Sequence, residues 1–321
     1  MSNESFNLSS FSEKISVIKT EASKALVGQK KMLDLILTAL FSNGHVLIEG
    51  VPGVAKTLTA RLVAAMTKTT FKRIQFTPDL MPSDVLGTSI FDMKKTEFTY
   101  KKGPIFGNMV LIDEINRAPA KTQASLFEVM EERQITNDGV LYPMDDVFMV
   151  LATQNPIEQE GTYRLPEAQL DRFLFKIKVD YPTLEEEFQM LELIGQKPAF
   201  SKLSFIDPVI TDAEIKEAQA FIQGIIIKPE ILKYISELVQ QTRLHPSLYL
   251  GASPRASIDL MNSSKALAAL SGREFVTPED VQYLFKPVVE HRVVLTPESE
   301  LQGVTLEEIS NQIIQQVEVP K

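Results

Sequence analysis

The chain contains no cysteine. That absence excludes disulfides, thiolate nucleophiles and cysteine zinc sites outright. Histidine is scarce as well. His45, His245 and His291 lie far apart in no metal-ligand spacing, so each reads as an ordinary polar residue. There is no apolar run of the roughly 18 residues that a membrane span requires, so no membrane insertion is expected. The opening stretch, MSNESFNLSS, is polar and lacks the basic-then-apolar plan of a signal peptide. A cytoplasmic location is the expectation. Basic residues are outnumbered, 33 against 42 acidic ones, for a net charge of −9 and a pI near 5.1. This balance argues against bulk attraction to nucleic acid or anionic lipid. One local exception is Lys94-Lys95 with Lys101-Lys102, flanking Phe98 and Tyr100 in an alternating stretch. It reads as a β-hairpin with basic ends, and a solvated hairpin is its plainer meaning.

What is present is ordinary for a soluble globular protein: 321 residues, 44% hydrophobic and 23% charged. The length suggests about two domains, each with chain enough for a core. From about 20 to 180, helix-like and strand-like segments alternate, as in a parallel α/β sheet. The expected strands are 45–49, 72–76, 109–113, 147–153 and 173–179; the expected helices are 29–42, 57–67 and 119–132. An insertion at 80–108 is more hairpin than loop, and a second hairpin is expected over 134–142, turning at Asn137-Asp138-Gly139. After Tyr181-Pro182 the chain becomes helical. Thr211 and Glu214 form a capping box, Ser253-Pro254 and Thr277-Pro278 mark helix starts, and Gly272 marks an end. The expected division is a core over 1–194 and an all-helical unit over 195–321.

The chemistry begins after the apolar run Val46-Leu47-Ile48. There the sequence reads Gly50-Val51-Pro52-Gly53-Val54-Ala55-Lys56-Thr57, followed by Leu58 and further apolar residues at helical spacing. This is the phosphate-cradle pattern of a glycine-rich turn between a strand and a helix. Gly50 and Gly53 let backbone N–H groups turn inward onto phosphate oxygens. Lys56 is expected to reach the β- and γ-phosphates, and Thr57 to ligate magnesium. Ala55 departs from the strict glycine at its position.

A second apolar strand, Met109 to Ile112, delivers Asp113 and Glu114 to its C-terminal end, where open α/β sheets bind ligands. Asp113 suits the magnesium shell, and Glu114 suits the orientation and deprotonation of the attacking water. Another strand leads into Gln154-Asn155-Pro156, where the neutral Asn155 amide positions water without adding negative charge. Arg172, just before a strand, is placed either for an arginine finger in trans or for a surface ion pair with Asp171. Arg255 falls in the first turn of a helix, where a cation opposes the helix dipole and an anionic partner gives it a reason to exist.

Together GVPGVAKT, LIDEINRAPAKTQASLFEVMEER, LATQNP, LPEAQLDRF and GASPRA resemble the AAA+ ATPases, and more closely the MoxR family, over about residues 20–300. Ala55 is common in that family; Arg164 is a departure, since relatives often carry proline there. The resemblance implies a five-stranded parallel sheet of order 5-1-4-3-2 with a helical lid, an insertion in the second helix and a hairpin before the sensor strand. It implies ATP and Mg2+ as cofactors, with Lys56 and Thr57 as the Walker A pair and Asp113 and Glu114 as the Walker B pair. Asn155 matches sensor 1, Arg172 the arginine finger, Arg255 sensor 2, and Val27-Gly28-Gln29 the segment that contacts adenine. It also implies a ring hexamer acting as a chaperone-like remodeler, often with a von Willebrand factor A domain partner. Competing readings are a nucleic-acid translocase, a nucleotide-switched binding module with negligible hydrolysis, and a magnesium-chelatase ATPase subunit. Hairpin residues such as Phe98 and Tyr100 are candidates to grip a client.

Overall fold

The computed structural model describes residues 7–94, 96–156, 163–196, 203 and 205–320. Lys95 of the basic hairpin lies outside the described residues, as does part of the polar, proline-containing stretch 196–208 that the sequence suggests as the connection to the helical unit. Five strands form one parallel sheet: β1 (Val46–Gly50), β2 (Phe71–Gln75), β3 (Met109–Asp113), β4 (Met149–Gln154) and β5 (Phe175–Val179). Their order is β5-β1-β4-β3-β2, the expected 5-1-4-3-2. Strand ends shift by up to two residues from expectation, and every expected core strand is present. All five residues of β3 are buried, as a strand covered on both faces requires.

Alternation within the strands assigns the two faces. Val46, Ile48, Leu111 and Leu151 point into a cluster with helices α1 (Leu8–Ser23), α2 (Lys30–Phe41) and α3 (Lys56–Met66). Leu47, Val110, Ile112 and Val150 point the other way, with α4 (Pro82–Leu86) and α5 (Ala120–Glu132), through Val85, Leu126, Phe127 and Met130. Two antiparallel hairpins, Gly87–Asp92 with Glu97–Lys102 and Gln134–Asn137 with Val140–Pro143, occupy the two expected insertions. They lean on each other: the Tyr100 and Tyr142 rings lie 4.4 Å apart, and the Asn137 amide donates to Ser89 Oγ at 2.7 Å. At the tip Phe91 and Phe98 stack edge to face, and Phe98 stays 73% exposed.

A short α6 (Glu167–Leu170) precedes β5, and α7 (Leu184–Gln196) follows it. The C-terminal helices are α8 (Asp212–Gln223), α9 (Pro229–Leu244), α10 (Pro254–Leu270), α11 (Pro278–Val289), α12 (Pro297–Leu301) and α13 (Leu306–Gln316). Thr211 makes its capping box with Glu214, and Gly272 follows α10 at φ 73°, where a side chain is disfavoured. This part is not wholly helical: Leu248–Leu250 pairs antiparallel with Val294–Leu295, tying the loop before α10 to the chain after α11. Its apolar side chains, including Ile235, Leu238, Leu260 and Leu284, belong to the same cluster as those of α1–α3.

At the N-terminal end of β1, His45 is buried between elements. Its Nε2–H donates to Met130 O at 3.1 Å, and Nδ1 accepts from Val150 N at 3.0 Å, which selects the neutral Nε2–H tautomer. Burial, helped by the Arg133 charge, lowers its pKa from 6.5 to about 3. Between those values the unfolded chain binds a proton that the folded protein refuses. Stability from His45 is therefore full above pH 6.5 and falls as pH drops toward 3, by about 1.4 kcal/mol per pH unit. In urea unfolding from pH 6.5 to 5, His45→Gln should lose less stability per unit than wild type. Parallel declines in the two proteins would contradict this.

Candidate functional site

The phosphate-loop segment runs from the C-terminal end of β1 into the first turn of α3, so free backbone N–H groups open onto it. A Cβ at Gly50 would fall 2.7 Å from the Val179 carbonyl of the neighbouring strand, and Gly53 takes φ 89°; both positions demand glycine. Ala55 sits at φ 60°, in the left-handed region, as the residue before the helix. This explains why glycine is the stricter choice there, since a Cβ in that region costs roughly 1 kcal/mol. Ala55→Gly relieves that strain while loosening the unfolded chain, so its unfolding free energy should stay within about 0.5 kcal/mol of wild type. The same exchange at Ala65 inside α3 should cost about 1 kcal/mol. Thermal unfolding of the two variants makes the comparison. The Lys56 ammonium donates to the Gly50 carbonyl across the turn, and Thr57 follows it in the first helical turn.

Beside this turn lies an apolar pocket lined by Leu26, Val27, Val54, Leu58, Met190 and Leu193, among others. Val51 is half-buried against the apolar cluster of α1–α3, and Pro52 is exposed. Gly28 follows Val27 at φ 67°, and a Cβ there would strike the Glu186 carboxylate. The wall formed by α7 through Met190 and Leu193 was not anticipated from the sequence. Its only signal was the helical spacing of Met190 and Leu193 after the proline.

Asp113 and Glu114 stand at the C-terminal end of β3, beside the turn. Glu114 adopts φ 57°, a conformation a non-glycine residue rarely takes, and this turns its side chain away from that of Asp113. Arg73 Nε lies 2.6 Å from Asp113 Oδ2, and Thr153 Oγ donates to Asp113 Oδ1 at 3.1 Å. Glu114 Oε2 accepts from the Gln75 amide at 2.8 Å and from Arg117 at 3.1 Å. Arg73 and Gln75 alternate along the outer strand β2, and neither was singled out in the sequence. Asn155, immediately after β4, is buried at the same edge. Lys56, Thr57, Asp113, Glu114 and Asn155 are thus gathered at one edge of the sheet. Among the described residues no three carboxylate or histidine groups cluster as a metal cage. The hard oxygens of Thr57 and Asp113 fit magnesium, which is held by one or two protein oxygens together with phosphates.

Arg172 and Arg255 are elsewhere. Arg172 Nη1 donates to Phe127 O at 2.8 Å and lies 3.7 Å from Glu131 Oε2; Arg255 grips the same carboxylate with both terminal nitrogens, at 3.2 and 2.8 Å. The surface pair of Arg172 with Asp171 that spacing alone suggested is replaced by Glu131, because Asp171 is taken by Arg292 at 2.8 Å. Hydrogen bonds from Arg255 hold the Glu131 carboxyl below its usual pKa against the effect of burial. Burial opposes the charge of Arg255, yet the Glu131 contacts raise its pKa above the ordinary value. Glu131 lies in the last turn of α5 beside His45, at the N-terminal edge of the sheet. The phosphate-loop turn is at the other end of β1, roughly 16 Å away along a strand of five residues. The two arginines are thus brought together and held apart from their own chain's turn.

Residues 45–175 match the model of the ATPase family associated with various cellular activities, and residues 240–313 match that of the AAA lid domain. Chaperone MoxR1 of Mycobacterium tuberculosis is 41% identical over 310 residues, covering 94% of this chain and 81% of that protein. The chain belongs to the MoxR family of AAA+ ATPases. The uncharacterized protein YeaC of Bacillus subtilis is 48% identical over 297 residues, 92% of each chain. A crystal structure of a suspected ATPase from Cytophaga hutchinsonii superposes with a TM-score of 0.89 at 40% identity, covering 97% of this chain and 96% of that one. The MoxR-type frame thus comprises the parallel sheet and the helical lid. No described helix is long and apolar enough to cross a membrane.

Proposed function

We propose that this MoxR-family protein is an ATP-hydrolysing, chaperone-like remodeler that works as a ring in the cytoplasm. In this reading residues 1–194 are the nucleotide-binding core and 195–321 the lid. The observation that carries it is the position of Arg172 and Arg255 at the edge of the sheet away from their own phosphate loop. From there each meets a γ-phosphate only across a subunit boundary, so the unit of catalysis is an assembly. A hexamer fits the family.

Within one subunit, the apolar pocket at Val27, Val54 and Leu58 takes the adenine, and the turn from Gly50 to Thr57 takes the phosphates. Lys56 exchanges its Gly50 carbonyl for β- and γ-phosphate oxygens. Thr57 and Asp113 would hold Mg2+, which would neutralise phosphate charge, and Asp113 would leave Arg73 for that role. Glu114 orients the attacking water and takes its proton, and Asn155 holds the water without repelling it. The arginines of the neighbouring subunit meet the charge that develops on the transferred group.

A dependence on assembly is the direct test. Magnesium-dependent hydrolysis per subunit should rise with protein concentration; a specific rate constant across the range in which the protein passes from monomer to oligomer would sink the ring reading. The joined hairpins, with Phe91 and Phe98 at their exposed end, are the surface offered to a protein client, and a von Willebrand factor A domain protein is the partner the family favours. A nucleic-acid translocase is the second reading. Only the basic ends, Lys94 with Lys101 and Lys102, favour it, and a set of DNA and RNA strands at low salt should leave hydrolysis unchanged.

A further inference from the structure

Arg292 follows α11 and its side chain is only 1% exposed. Its Nε lies 2.8 Å from Asp171 Oδ1, an ionic contact, since the N–H is not aligned on that oxygen. Nη2 donates to Phe173 O at 2.9 Å and Asp171 O at 3.1 Å, and also reaches the Asp259 carboxylate; Nη1 donates to Val288 O at 3.1 Å. Ser253, the residue before α10, donates from Oγ to Asp171 Oδ2 at 3.1 Å instead of capping its own helix. His291 Nε2 donates to Phe173 O at 2.9 Å. These contacts bracket both arginines: Asp171 and Phe173 flank Arg172, while Ser253 and Asp259 stand on either side of Arg255.

A buried guanidinium seldom adds stability over apolar packing, because desolvation offsets its attractions. Its planar fork, in contrast, fixes several acceptors in one geometry, which an ammonium does not. We infer that Arg292 is a positioning residue that locks the Asp171–Phe173 segment to α10, so that Arg172 and Arg255 move as one unit with the lid and meet a neighbouring subunit's phosphate at fixed spacing. This rests on the reading that both arginines act across subunits.

The test mixes subunits. Arg292→Lys should bind a fluorescent ATP analogue as wild type does, while hydrolysis by its homomeric assembly falls roughly 10²-fold, the order expected for a displacement of about 1 Å. Lys56→Ala subunits lack a working phosphate loop yet present intact arginines. A one-to-one mixture should recover about a quarter of the wild-type rate, half the loops being intact and half of those facing an intact neighbour. Asp171→Asn, which weakens the same link from its other end, is run in parallel with the same expectation. Arg172→Ala mixed with Lys56→Ala is the control. If the control recovers and neither link variant does, whether for failure to fold or for poor assembly, the inference is overturned. If Arg292→Lys alone is as active as wild type, it is overturned as well. If the control itself stays silent, the cross-subunit reading fails first.

Discussion

Arg172→Ala should lower ATP hydrolysis by the assembled protein roughly 10³- to 10⁵-fold, the range an arginine finger supplies. Its effect on the fold should be small. Arg172 loses one hydrogen bond to the Phe127 carbonyl and a 3.7 Å contact with Glu131, and its side chain is 33% exposed. Partly exposed contacts of this kind are worth within about 1 kcal/mol, and Glu131 keeps its two bonds to Arg255. Nucleotide affinity should also survive, because the pocket and turn of the same chain lie at the other edge of the sheet. The measurement is steady-state phosphate release above the assembly concentration, beside nucleotide binding by the isolated subunit. A variant that binds ATP normally, assembles, and hydrolyses within threefold of wild type would rule out Arg172 as the residue that meets the transferred phosphate.

The second large effect is expected at Glu114. Glu114→Gln keeps the size of the side chain and an oxygen to accept from the Gln75 amide, so the unusual φ of 57° and the surrounding contacts persist. What disappears is the ability to take a proton from water. A positioned base contributes about 10²- to 10⁴-fold, and single-turnover hydrolysis should fall by that factor with ATP binding unchanged. The protein would then accumulate in its ATP-bound form, suited to capture of the client. Equal single-turnover rates for the two proteins would favour the nucleotide-switched module over the motor. Because Gln75 and Arg117 share one oxygen of Glu114, they are also the residues from which the base must be released to face the water.

Much of this site was readable in one dimension because its chemistry is local. The turn from Gly50 to Thr57 is continuous in the chain, and Asp113 with Glu114 announces itself as two carboxylates ending an apolar strand. Residues recruited across the sheet were not readable. Arg73 and Gln75 look like the polar face of an ordinary edge strand until β2 is laid beside β3, when Arg73 meets Asp113 and Gln75 meets Glu114. Met190 and Leu193 look like the apolar stripe of a helix until α7 folds over the pocket. The pairing of Arg172 was misread for the same reason: sequence offers only Asp171 as a neighbour, whereas the fold offers Glu131 and gives Asp171 to Arg292.

Composition, periodicity and motif spacing by themselves determined a parallel α/β core followed by a largely helical unit, and put forward the turn from Gly50 to Thr57 with Asp113 and Glu114 as the candidates for nucleotide chemistry. Those features depend on periodicity, on turn chemistry and on residues adjacent in the chain. Only the tertiary structure decided that Arg172 and Arg255 stand together on Glu131, away from their own phosphate loop, and that a buried Arg292 ties them to one another. Such facts depend on contacts between elements far apart in sequence, where a side chain's partner is chosen by packing rather than by spacing.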